Sequence, residues 1–79
     1  MSIIDDLIDA LARDAIEAAE NLKDDQIITD VSKAIGATSP TSQEAFMTAV
    51  RIRLALNRGR KQLEQRLAQI AAAAPPSGQ

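Results

Sequence analysis

Residues 50–61, VRIRLALNRGRK, carry Arg51, Arg53, Arg58, Arg60 and Lys61, five of the nine cationic side chains of a 79-residue chain. Cations at such density could hold a phosphate backbone, or they could be the charged flank of a helix that packs on a partner. Acidic clusters are the other candidates for chemistry. Asp5, Asp6 and Asp9 near the start, and Asp24, Asp25 and Asp30 further on, could bring oxygens to a hard cation. A magnesium or calcium site needs those oxygens to converge, usually around a loop with glycine, and neither cluster has that spacing. First-turn carboxylates facing the positive end of a helix, and caps at a corner, account for them without a ligand, so no metal site is expected.

The remaining chemistry is limited by composition. The chain has no cysteine and no histidine. Thiolate or imidazole ligation, the usual general base and the thiol nucleophile are therefore missing, and only carboxylates, hydroxyls, lysine and arginine remain for catalysis. The expectation is a non-enzymatic protein without a cofactor. Residues 1–35 hold nine acids against Arg13, Lys23 and Lys33, a balance of −6, whereas residues 36–79 hold six bases against Glu44 and Glu64, a balance of +4. An acidic half is joined to a basic one. The opening MSIIDDLIDALARD is interrupted by acids where a targeting segment would need an apolar run, and no window is long and apolar enough for a membrane span. These features predict a soluble cytoplasmic protein with no membrane partner.

The elements that hold these residues are helical. Ser2 can cap a first helix, with Asp5 and Asp6 in its first turn. Ile4, Ile8, Leu11, Ala15, Ala18 and Leu22 then recur at steps of four and three, widened by Leu7, Ile16 and Ala19, and Asp9 stands four residues before Arg13. Past Leu22 the seam would land on Asp25, Thr29 and Ser32. The apolar residues present, Ile27, Ile28, Val31 and Ile35, instead fall near the opposite side at about 100° per residue. That change of phase places a corner at residues 23–26, with Asp24 or Asp25 capping a second helix that stops before Gly36, a natural left-handed position. ATSPTS is turn chemistry, and Ser39 before Pro40, or Thr41 three before Glu44, can begin the third helix.

The spacing predicts helices over about 2–23, 25–35 and 41–73, of roughly 33, 16 and 50 Å. The fold class is all-α, a single domain over residues 1–73 built as a small three-helix bundle from which the long last helix protrudes. The tail 74–79, APPSGQ, reads as disordered. Near this size one core rarely supplies more than about 3–5 kcal/mol, so help from a partner is expected.

Two local patterns compete with this reading. Val50, Ile52, Leu54 and Leu56 alternate as in a strand, yet a lone strand between helices would have no partner. DVSKAIGATSPTSQEAF has the flavour of a helix-turn-helix, except that Ser42 stands where that motif buries an apolar side chain and the next helix is far too long.

As a helix, residues 45–70 carry a seam of Ala45, Ala49, Ile52, Leu56, Gly59, Leu63 and Ile70, with Leu67 beside it and Arg66 as the interruption. With Leu56 at heptad position a, Arg53 and Arg60 fall at e, Arg51 and Arg58 at c, and Lys61 at f. The cations surround the seam rather than forming one stripe, and Phe46 is the sole aromatic for stacking on a base. A second apolar patch, Phe46, Met47, Val50 and Leu54, lies opposite the seam, and a helix apolar on two sides over this half suits contact on two sides, with the first and second helices both packing there.

The function these features favour is a helical protein-protein interaction module, an adaptor or regulator of another protein. Self-association is expected through Leu56, Gly59, Leu63, Leu67 and Ile70 in a coiled-coil-like homodimer, antiparallel so that each basic helix meets the acidic first helix of its mate. Gly59 would let a second backbone come close. The alternative is a nucleic-acid-binding regulator that uses Arg51, Arg53, Arg58, Arg60 and Lys61.

Overall fold

The computed structural model describes residues 2–73; Met1 and the 74–79 tail, with its expected disorder, lie outside the described residues. It holds three helices, α1 (Ile3–Leu22), α2 (Gln26–Gly36) and α3 (Pro40–Ala73), and no strand among the described residues. The alternation at residues 50–56 is therefore helical. The seven-residue window looked strand-like only because apolar side chains occur on two faces of α3.

Each boundary has a local cause. Ser2 is extended and its Oγ accepts from the Asp5 amide at 3.1 Å, which satisfies one of the free donors of the first turn of α1. At the other end no glycine is present, so Lys23 itself enters the left-handed region, at φ 54° and ψ 46°. The Asp24 amide then donates back to the Ala19 carbonyl at 2.9 Å, closing α1 as a Schellman-type turn. Asp24 also resolves the capping question left open by sequence, because its Oδ1 accepts from the Gln26 amide at 3.0 Å whereas Asp25 makes no side-chain cap bond. Asp24→Ala is expected to cost about 0.5–2 kcal/mol in urea unfolding and Asp25→Ala much less. Equal losses would move the cap to Asp25.

Gly36 departs from the expectation placed on it. It is the last residue of α2, its φ is not left-handed, and the chain leaves through Ala37 in a right-handed conformation, with the Ser39 amide bonded to the Ile35 carbonyl at 2.9 Å. What glycine provides is clearance. A Cβ at Gly36 would sit 2.5 Å from Cδ of Gln43, in the first turns of α3. Ser39, not Thr41, starts α3: its Oγ accepts from the Ser42 amide at 3.2 Å and donates to the Ser42 hydroxyl at 2.8 Å, and Pro40 follows as the first helical residue.

The three helices pack up, down and up. Asp5 and Asp6 at the start of α1 share a groove with Thr41 and Glu44, and Glu20 near its end shares another with Asn57 and Lys61, so α1 and α3 run parallel. α2 returns against both, from Ile28 beside Leu54 to Ile35 beside Phe46. The core between them consists of Ala12, Ala15, Ile16, Phe46 and Val50, flanked by Ile8, Ile28, Val31, Ile35, Met47 and Leu54.

This core corrects the ranking of the two faces of α3. The patch of Phe46, Met47, Val50 and Leu54 faces both α1 and α2, in place of one helix on each side, while the seam keeps Ala45 and Ala49 half-buried and is uncovered from Ile52 on, with Ile52 53 % and Leu56 67 % exposed. The reason lies on α1, where Ala12 and Ala15 form a shallow surface that admits the Phe46 ring to full burial. The buried face of α1 is rotated accordingly, leaving Ile4, Leu11 and Leu22 exposed although they belong to its apolar repeat. At about 51 Å for its 34 residues, α3 outruns α1, which is about 30 Å long at 20 residues.

Candidate interaction surface on the third helix

The side chains expected at a self-association interface all lie on the uncovered part of α3. Leu56, Leu63, Leu67 and Ile70 are each at least half exposed, and a Cβ built on Gly59 would meet nothing within 4 Å. Nothing in the chain requires a glycine there, although its cost in a helix is about 1 kcal/mol against alanine. The row begins further toward the N-terminus than its large side chains suggest. Ala45, Ala49 and Ile52 continue it into a groove between α1 and α3, whose other wall is Ile8 and whose rim carries Asp5, Asp6, Asp9 and Glu44. The floor of this groove is apolar and its rim acidic.

The five cations of residues 50–61 are divided by the structure. Arg53 forms a two-pronged ion pair with Asp9, its Nε donating to Oδ1 at 2.7 Å and its Nη2 to Oδ2 at 2.6 Å. This clamp ties α3 to α1 and is geometrically the strongest kind of carboxylate pair. Arg51 reaches Glu44 at 3.4 Å, two turns away on the exposed surface of α3, where such a pair adds little. Arg58, Arg60 and Lys61 are exposed and have no ion pair among the described residues. They do not form one stripe with Arg51 and Arg53.

Sequence spacing paired Asp9 with Arg13. Instead Arg13 reaches Asp14 at 3.2 Å and Asp9 turns to α3. The hydrogen bonds from Arg53 hold the Asp9 carboxyl below the usual aspartate range, opposed by partial desolvation and helped by the charges of Arg53 and Arg13. The same bonds raise Arg53. Because the folded form of Asp9 binds its proton less readily than the unfolded chain, its contribution to stability is complete above roughly pH 4 and is lost as pH falls further. Asp9→Asn is expected to flatten that part of the acid-unfolding curve, and an unchanged acid midpoint would show the pair to be idle. No signal within a local window could have found this pair, whose members stand 44 residues apart.

Among the described residues no group of three or more acidic side chains converges in a way that could hold a metal ion. Among them, too, no helix is long and apolar enough to cross a membrane. The turn between α2 and α3 does place two helices in succession, but the partly buried Ser42 hydroxyl is spent on the cap and α3 continues far past the length of a recognition helix. Comparison with protein-family models, curated proteins and solved structures gave no match.

Proposed function

We propose that this chain is a non-enzymatic helical interaction module of the cytoplasm that forms an antiparallel homodimer through α3 and serves as an adaptor or regulator of another protein. The observation that supports this reading is the apolar row of Ile52, Leu56, Leu63, Leu67 and Ile70, broken only by Arg66 and exposed along its whole length while α1 and α2 pack on the other side of the helix. Rows of large aliphatic side chains on a free surface usually mark an interface. The competing arrangement, in which α1 folds back over this row within one chain, has little support, since the Asp9 to Arg53 clamp and the Phe46 pocket hold α1 on a different face. Light scattering over a concentration series tests the reading. The protein should run near twice its 8.4 kDa chain mass, and a monomer at high micromolar concentration would end it.

Nucleic-acid binding is the second reading, and it is favoured by one observation, the absence of acidic partners for Arg58, Arg60 and Lys61 among the described residues. Reversing Arg58 and Lys61 together to glutamate should leave fold and mass nearly unchanged, because both point away from the row. Labelled duplex and single-stranded DNA and RNA, titrated at low salt and again at 0.2 M, supply the complementary readout. With three to five cations on phosphate, a binder would lose roughly 40- to 500-fold in affinity over a fourfold rise in salt, and the double reversal would abolish the binding. An interaction module binds weakly at both.

A further inference from the structure

The uncovered row has an internal symmetry that identifies how a second copy would lie on it. In a parallel pair each seam residue meets its own counterpart: Gly59 would face Gly59, Ala49 would face Ala49 and Arg66 would face Arg66. Two such layers leave gaps and the third brings like charges together. Turned end for end about the midpoint between Asn57 and Arg58, the same row matches small with large in three of its four layers. Ala45 then faces Ile70, Ala49 faces Arg66, Ile52 faces Leu63 and Leu56 faces Gly59. These are the a against d layers of an antiparallel coiled coil, and they use every position of a seam about 38 Å long.

We infer that two copies associate antiparallel in this register, so that residues 63–70 of each occupy the groove between α1 and α3 of the other, with Arg66 on its acidic rim. The inference rests on the self-association proposed above and adds its geometry. Charge supplies the independent support. Ala49, opposite Arg66, lines the groove rimmed by Asp5, Asp6, Asp9 and Glu44, so the one residue that interrupts the seam meets carboxylates rather than lipophilic side chains. Leu67, beside the seam on its e flank, falls toward Ile8, the α1 wall of that groove. Arg60 of the mate comes beside Arg53, whose charge Asp9 already compensates. The register also brings Ala73 of one copy level with Ser42 of the other, so the ends of the two α3 helices lie flush and the overhang of each is covered.

The chain has no cysteine, so introduced ones report without background. Ala45→Cys and Ile70→Cys are made separately, oxidised mildly alone and as a mixture, and run on non-reducing gels, with light scattering on each. The expected result is a disulfide-linked dimer in the mixture and none from either variant alone. A second variant reads charge: Arg66→Glu should raise the dimer dissociation constant more than about tenfold by placing a carboxylate among Asp5, Asp6 and Asp9, while Lys61→Glu should not. Self-linking of each single variant would establish parallel pairing and overturn the register, and an Arg66→Glu dimer as tight as the parent would overturn it by removing Arg66 from the acidic rim. A dimeric mass with no linking in the mixture would likewise overturn the register while sparing self-association. A monomeric mass for the parent chain would overturn both.

Discussion

Leu63→Asp combined with Leu67→Asp should give a monomer whose α1, α2 and first half of α3 remain folded. Both leucines lie on the uncovered row, at 51 % and 56 % exposure, and neither belongs to the core around Phe46. Covering one leucine is worth about 1.5–3 kcal/mol, and a symmetric dimer would cover four of them. With about 1.4 kcal/mol for each tenfold in affinity, the double substitution is expected to weaken association by a thousandfold or more, before the added carboxylates are considered. Light scattering should then read one chain mass while circular dichroism keeps most of its helical signal. A variant that still runs as the dimer would remove this half of α3 from the interface. One that loses its helical signal altogether would mean that the core does not stand without a partner.

Phe46→Ala should have the opposite character and destroy the fold itself. Phe46 is fully buried and is the largest such side chain, seated against Ala12, Ala15 and Ile16 on α1 and Val50 on its own helix. Truncating a buried phenylalanine costs about 3–5 kcal/mol, because the alanines around it are too short to close the space left behind. A single core of this size rarely supplies more than that in total. Thermal unfolding followed by circular dichroism should therefore lose its cooperative transition, whereas Phe46→Leu should keep one at lower temperature. A sharp, unshifted transition in the alanine variant would show that the helices are held together elsewhere.

These two substitutions divide the apolar residues of α3 into two populations that sequence could separate but not rank. Positions 45–56 satisfy helical periodicity on two faces at once, and the spacing alone gives four members to each, Ala45, Ala49, Ile52 and Leu56 on one and Phe46, Met47, Val50 and Leu54 on the other. The choice of face is made by the complementary surface. Two alanines on α1, Ala12 and Ala15, offer a recess that fits one aromatic ring, which is a matter of shape between segments far apart in the chain. Helix limits, by contrast, were legible because their causes are local. Ser2, Asp24 and Ser39 each act within three residues of themselves. Gly36 shows where a local rule is insufficient, since glycine after a helical stretch signals a left-handed exit, yet here it clears room for Gln43 from the next helix. The Asp9 to Arg53 clamp lay outside any such rule for the same reason.

The free end of α3 has a consequence for the lifetime of the molecule. Helical segments shorter than about 12–15 residues are marginal in water when nothing packs on them, and residues 65–73 reach past the end of α1 with every side chain exposed. In a dimer of the kind proposed, those last turns become ordered only as copies meet, so the fraction of the chain that holds its helix rises with the amount of protein made. Arg66, within those turns, is also a bond at which a trypsin-like protease cuts. Scarce protein would thus be trimmed at Arg66 and abundant protein protected, which turns an unsupported helix end into a gauge of the protein's own abundance.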